Sequence, residues 1–327
     1  MAQKCRAKIQ VKGINQVAIV VKDLQKVMDS YYSILGIGPW DVYSWETPLV
    51  YNREYHGRPA QAREKIATAQ VGAVQLKLCQ PVDGDSIYQD FLVEHGEGLH
   101  HLSFLVDGVD ETTEILTGEG FPCIQSGRFG DNGAFSYIDI KPLHVIWEVV
   151  HQSDTNVKPV RYPDSVQESS AKVKVKSIDQ IALVVKDIQK TVENYWHILG
   201  IGQWNITPWE APLVYDRKYH GRAESAIEKI AEVMVGPEQI ELCQVFEGKS
   251  IYRDFLAEHE EGLHHLNFLV DNVDKVVEIL GKEGFPCLQS GHFGDDCAFS
   301  YIDIKPLHTI WEPVCEAETV TGPVRYP

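Results

Sequence analysis

Two stretches of the chain set adjacent histidines ahead of an apolar run, GLHHLSFLVDGVD at 98–110 and GLHHLNFLVDNVD at 262–274. Two others carry one glutamate inside an otherwise apolar segment, Glu148 in VIWEVV and Glu312 in TIWEPV. Imidazole and carboxylate are the side chains that hold divalent cations and move protons. A carboxylate buried in a strand without a partner costs several kcal/mol, so a cation must lie near each of these glutamates. A histidine on a strand is more often packed or hydrogen-bonded in a core than bound to a metal, and residue type leaves both readings of His101 and His265 open. A further polar group is duplicated: Tyr51, Tyr55, His56 and Arg58 match Tyr215, Tyr219, His220 and Arg222. These fall in a long loop before a strand, which is either a surface loop with paired charges or a lid over a site.

The elements that must position these residues are written twice. INQVAIVVKDLQK at 14–26 returns as IDQIALVVKDIQK at 178–190, and PVRYP at 159–163 returns at 323–327, so the offset is 164 residues throughout. More than half of the aligned positions are identical, and the two halves must share one fold; the period is too long for a solenoid repeat. The expected domains are 10–151 and 173–316, and the polar stretch 152–172, with two prolines, reads as a linker.

A shorter rhythm runs inside each half. INQVAIVV reads as a buried strand, and a helix follows with Val27, Tyr31, Ile34 and Leu35 on one face, Asp23 at its N-cap and Gly36 past its end. WDVYSW, EKIATAQV and AVQLKLCQ are three further strands. After a short helical connection, SIYQDFLVEHG, the same βαβββ order returns from HHLSFLV to HVIWEVV. The chain therefore carries four such modules.

This pattern resembles the vicinal oxygen chelate superfamily, most closely its methylmalonyl-CoA epimerase branch. The resemblance rests on VVKDLQK, YYSILGIGPW, GEGLHHLSF and the closing WE in that order, twice, and covers nearly the whole chain. It implies an α+β fold of two tandem domains, each with an open, cup-shaped sheet built from two βαβββ modules. It also implies a divalent metal at the floor of the cup, held by one residue from the first and last strand of each module.

Carried over position by position, the first-strand ligand falls on Gln16 and Gln180, where the epimerases usually have His. Glutamine oxygen is a competent ligand and serves in similar glyoxalase I enzymes. The next position is Lys77 in the first half and Glu241 in the second, followed by His101 and His265, then Glu148 and Glu312. The second half thus offers one nitrogen and three oxygens, suited to an octahedral ion such as Zn, Co, Ni or Mn with open positions, about one per chain. Lys77 cannot bind a metal without losing its proton, so the first site is expected to be metal-free or weak, with the ammonium pairing with Glu148. Modules are sometimes swapped in such folds. Gln180 and Glu241 then face His101 and Glu148, but one site still contains all four ligand types and the other Lys77.

The implied chemistry is abstraction of a proton next to a carbonyl with metal stabilisation of the enolate charge, as in an isomerase, epimerase or racemase. The base position of the epimerases falls on Gln61 and Ser225, neither of which is a base; Glu64 and Glu228 lie three residues on and are expected to face away. Glu312 remains as the catalytic base, with Glu148 and Lys77 the corresponding groups of the first half. Trp40, Tyr43, Trp45, Trp204 and Trp209 lie on or beside the strand that borders the cavity in the superfamily, so an aromatic ketone is one expected substrate. The substrate pocket is expected to include Trp40, Tyr43, Tyr51, Tyr55, His56, Trp204, Tyr215, Tyr219 and His220. His144 and His308, before the closing strands, read as turn residues, with a role as a base or in support of the metal ligands as the alternative. A glyoxalase-type lyase and a non-catalytic small-molecule binding protein of the resistance type are the alternatives.

Composition excludes other classes. In 327 residues, 47 Asp and Glu outweigh 30 Lys and Arg, giving a net charge of −17, which disfavours nucleic acid and anionic membrane surfaces. No apolar run approaches the roughly 20 residues of a membrane span, and the start lacks a signal-peptide core, so a cytoplasmic location is expected. The seven cysteines form no CxxC and read as thiols, with Cys79, Cys123, Cys243 and Cys287 as small buried residues. Four modules in one chain fit a monomer or a homodimer acting on a small molecule.

Overall fold

Each half folds into one mixed sheet of eleven strands. The structure is a computed structural model, described over residues 7–151, 158–163, 171–295, 297–315 and 324–326. The chain divides into two compact units, one of residues 11–141 and 145–174, the other from residue 175 on together with residues 7–10 and 142–144. In the first unit the elements are β1 (Gln16–Val20), α1 (Leu24–Leu35), β2 (Trp40–Trp45), β3 (Val50–Tyr55), β4 (Arg58–Pro59), β5 (Arg63–Val71), β6 (Val74–Asp83), α2 (Ile87–Glu94), β7 (Gly98–Leu105), α3 (Val109–Gly118), β8 (Cys123–Phe129), β9 (Gly133–Ile140), β10 (Val145–His151) and β11 (Val160–Tyr162). In the second they are β12 (Gln180–Val184), α4 (Ile188–Leu199), β13 (Trp204–Trp209), β14 (Val214–Tyr219), β15 (Arg222–Ala223), β16 (Ile227–Val235), β17 (Glu238–Glu247), α5 (Ile251–Glu258), β18 (Gly262–Leu269), α6 (Val273–Lys282), β19 (Cys287–Phe293), β20 (Cys297–Ile304), β21 (Thr309–Val314) and β22 (Val324–Tyr326).

The first sheet has the order β11-β2-β5-β6-β1-β7-β10-β9-β8-β3-β4, and the second repeats it strand for strand. β1 runs parallel to β6 and antiparallel to β7, so the two βαβββ modules of one half join along that seam. β12 joins β17 and β18 in the same way. Modules of the same half therefore pair, and the swapped arrangement is not adopted.

Period-two alternation sorts each strand between two faces. Val17 and Ile19 are fully buried, while Ala18 and Val20 belong to a cluster on the other face with Ile66, Cys79, Tyr88, Phe135 and Tyr137. Asp23 caps α1 by accepting from the Lys26 amide, and Gly36 ends it at φ 68°, where a side chain would be strained. Trp40, expected to border the cavity, is wholly buried and packs 5.8 Å from the α1 residue Tyr31; Trp204 packs 5.5 Å from Tyr195 of α4. The cavity-side residues of that strand are one position out of phase, and Trp45 and Trp209 lie there, each 5.0 Å from a phenylalanine, Phe129 and Phe293.

The segment expected as a long loop or lid is a β-hairpin. VYNREY buries Val50 and Arg53 and turns at His56 and Gly57, both at positive φ. The hairpin leaves the first module and pairs with β8 of the second. β11 lies inside the stretch expected as a linker: it pairs with β2, with Arg161 3.0 Å from Asp41, and β22 adds to β13 likewise. The free-thiol reading is corrected for Cys297 and Cys315. They sit on neighbouring antiparallel chain segments with Cα atoms 5.7 Å apart and form a disulfide. Cys79, Cys123, Cys243 and Cys287 are free, and Cys5 lies outside the described residues. Among the described residues, no helix is long and apolar enough to cross a membrane.

Candidate metal centre

β17, β12, β18 and β21 lie side by side, and their registers bring Glu241, His265 and Glu312 together on one face of the second sheet. One ligand atom from each lies within 4.8 Å of the others, and all three residues are buried. His265 Nε2 is 3.3 Å from a carboxylate oxygen of Glu241 and of Glu312, and it has no hydrogen-bond partner. The ring is held in this attitude from behind. His265 Nδ1 lies 2.8 Å from Nδ1 of His264, and Tyr252 stacks on the ring while Tyr301 meets it edge-on. Burial and the neighbouring His265 lower the His264 pKa well below the usual range, so His264 stays neutral and orients the His265 ring without adding charge. Asn267 donates to Glu312 at 2.9 Å, fixing that carboxylate in turn.

The donor set fits a divalent cation. Two carboxylates and an unpartnered buried imidazole nitrogen converge at the spacing of ligands around one ion, about 3 to 4 Å between donors when each lies about 2.1 Å from the metal. Burial favours the neutral form of His265, but the Glu241 and Glu312 carboxylates beside it outweigh burial and raise its pKa to about 9. The two carboxylates therefore draw in a proton when no other cation compensates them. Gln180 lies alongside and gives its amide nitrogen to Gln239 at 2.8 Å and to Glu232 at 3.3 Å.

Glu232 was not anticipated. It sits directly across from Glu241 in the β16–β17 ladder. Burial, then the charges of Glu241 and Glu312, raise its pKa to about 7. Its counterpart is Thr68, opposite Lys77, so the two halves differ as a pair: Thr68 and Lys77 against Glu232 and Glu241. That paired difference was the available signal.

In the first half the Lys77 ammonium lies 2.9 Å from both oxygens of Glu148, with Tyr137 donating to the same carboxylate at 2.6 Å. Burial would raise the Glu148 pKa, but Lys77, then His101 and Tyr137, hold it well below the carboxylate range. His101 Nε2 is 3.5 Å from Glu148, and burial, with Lys77 adding, lowers its pKa to about 4 against the Glu148 hydrogen bond. Gln16 turns its amide nitrogen to Gln75. An ammonium thus fills the cationic place that the second half leaves between its carboxylates.

The remaining expected residues separate by position. Tyr55 and Tyr219 donate to Asp90 and Asp254 at 2.7 and 2.8 Å, docking the hairpins on α2 and α5. His56 and His220 occupy left-handed turn positions beside them. Tyr51 is exposed opposite Arg128, and Tyr215 stacks on His292. Tyr43 is half-buried on the cavity-side phase of β2. His144 and His308 hold left-handed φ after short 3₁₀ turns, as turn residues. Glu64 was expected to face away, but β5 starts only at Arg63, so strand phase does not relate it to Gln61. It is buried 2.8 Å from Arg53 and feels the Lys77 charge; Glu228 pairs with Arg217 at 2.5 Å and Ser250 at 2.5 Å. These buried ion pairs, also unforeseen, take both acids out of contention as free bases.

Residues 15–137 and 179–301 each match the family model described as the glyoxalase/bleomycin resistance protein/dioxygenase superfamily, one match per half. The chain belongs to this superfamily. A 74-residue segment is 34% identical to the uncharacterized protein YqjC of Bacillus subtilis (strain 168); the match covers 23% of the chain and about half, 51%, of that relative. Among solved structures, a variant of 4-hydroxymandelate synthase from Streptomyces coelicolor superposes with a TM-score of 0.60 at 16% identity, over 94% of this chain and 93% of that one. A xylose isomerase-like TIM barrel/4-hydroxyphenylpyruvate dioxygenase fusion protein gives 0.50 at 11% identity, over 98% of this chain and 51% of that one. At these identities the likeness shows the glyoxalase/dioxygenase fold alone, and the site must be argued from its own residues.

Proposed function

We propose that the second half is a metal-dependent enzyme moving a proton at a carbon next to a carbonyl, as an isomerase, epimerase or racemase does. The observation that carries this reading is the convergence of Glu241, His265 and Glu312 in a buried cluster with an unpartnered imidazole nitrogen. In this reading those three residues hold a divalent ion, Gln180 adds its side-chain oxygen, and the ion supplies electrostatic stabilisation of enolate charge when bound.

The chain's own groups supply the proton chemistry. Glu312 is the proposed base. Glu232 stands outside the ligand cluster yet within reach of its field, so it is a second carboxylate able to hold a proton. Two such groups are what inversion at one carbon requires. The first half has no counterpart of Glu232 and its carboxylate is bound to Lys77, which favours a stabilising role for it. Methylmalonyl-CoA epimerase activity in particular is not proposed, because Gln61 and Ser225 occupy its base position.

The test is deuterium uptake in D₂O by a panel of enolisable ketones, with metal-loaded and metal-stripped protein. The reading expects exchange that needs metal and falls at least a hundredfold in Glu312→Gln. Turnover that requires an added thiol points instead to glyoxalase-type lyase chemistry, and saturable binding without exchange or metal points to a binding protein.

A further inference from the structure

A cavity of about 450 Å³ opens on the second unit, lined by Gln203, Asn205, Glu232, Met234, Gln239 and Tyr326 among others. It reaches the candidate metal centre through two of its own walls. Glu232 and Gln239 both accept hydrogen bonds from Gln180, and Glu232 is the ladder partner of Glu241. The volume lies within the range of sites for small molecules, about 300–1,000 Å³.

The lining is chemically specific. Gln203, Asn205 and Gln239 are neutral amides, each offering a donor and an acceptor on one plane. Met234 and Tyr326 add apolar surface, and Glu232 is the one acid among these six. Among the described side chains, no cationic group lines the cavity. Amide forks beside an aromatic ring match adjacent hydroxyl groups on a carbon skeleton, which need donors and acceptors in alternation.

The two halves differ at four of these six lining residues and share Gln239 and Tyr326, which match Gln75 and Tyr162. Pro39, Asp41, Thr68 and Gln70 stand where the second half has Gln203, Asn205, Glu232 and Met234, in a chain whose halves are otherwise more than half identical. Asp41 is an acid paired with Arg161 at 3.0 Å; Asn205 is neutral. Gln203 adopts φ 70°, a left-handed conformation uncommon for a residue with a side chain. Four walls of the cavity thus change together with Lys77 and Glu241.

We infer that this cavity is the substrate subsite and that it takes a polyhydroxylated carbonyl compound, with Gln203, Asn205 and Gln239 binding its hydroxyl groups. This rests on the proton-transfer reading for its chemistry but not for its binding. It differs from the aromatic ketone expected from the sequence, because Trp204 is core and Trp209 packs on Phe293 and is not among the residues that line this cavity.

The experiment uses the full metal-loaded chain and two enolisable probes, D-xylulose and phenylacetone. Binding is followed by saturation-transfer NMR and deuterium uptake is read in the same samples. D-xylulose binds, phenylacetone does not, and Asn205→Leu and Gln203→Leu each weaken D-xylulose binding about tenfold with metal content unchanged. Preference for phenylacetone, no binding of either probe, or D-xylulose binding unaffected by both variants overturns the assignment. D-xylulose binding that the variants abolish, without deuterium uptake, upholds the subsite and counts against the proton-transfer reading instead.

Discussion

Lys77 holds Glu148 through both carboxylate oxygens at 2.9 Å, and the residue 164 positions after Lys77 is Glu241. At that one site the halves carry opposite charges against the same partners, a buried histidine and a buried glutamate. The first half is neutralised by its own ammonium. The second has surplus negative charge around His265, which a proton or a divalent cation must offset.

Removing the ammonium is expected to unbalance the first half. Lys77→Ala leaves Glu148 buried without its cation and lowers stability by about 3–5 kcal/mol, read by denaturant unfolding, with no change in metal content. Lys77→Glu, combined with Thr68→Glu, recreates the second-half pattern and raises bound metal by one ion per chain.

The converse substitution moves the second half toward the first. Glu241→Lys is expected to abolish metal binding while the protein stays folded, because the new ammonium sits beside Glu312. The His265 pKa then falls from about 9 toward the value of about 4 that His101 has beside Lys77. Histidine titration by NMR measures this directly.

Metal affinity is expected to depend on pH with a definite sign. The metal-free site holds a proton on His265 up to about pH 9, and an ion must displace it. Apparent affinity therefore rises about tenfold per pH unit and levels off above about pH 9. Stability of the metal-free form runs the other way. The folded pKa is above the unfolded value of about 6.5, so this contribution is fully present below pH 6.5 and is lost as pH rises through about 9. Thermal unfolding of stripped protein across this window, monitored against metal-loaded protein, checks both statements.

His264 acts on the metal through His265. Its Nδ1 lies 2.8 Å from Nδ1 of His265 and leaves Nε2 turned to the carboxylates. His264→Ala is expected to weaken metal binding by about 10- to 100-fold, measured by competition with a chelator of known affinity.

Much of this architecture was legible in the sequence because duplication doubles every periodic signal. Asp23 and Gly36 marked the ends of α1, and the glutamates inside VIWEVV and TIWEPV required a nearby cation. Side-chain phase and long-range pairing were less legible. Trp40 begins its strand on the helix side, and one position of phase separates it from the cavity-side set. The β3–β4 hairpin looked like a loop because its partner, β8, lies far along the chain. Glu232 carries no local motif; only its ladder pairing with Glu241 reveals it.

The central claim is one occupied metal site per chain, in the second half. Elemental analysis of protein purified without chelators and reconstituted with divalent metal tests it directly, in wild type, Glu241→Ala and Lys77→Ala. About one ion per chain is expected in wild type and Lys77→Ala, and none in Glu241→Ala. No metal in the wild type, or an ion that survives Glu241→Ala, contradicts it.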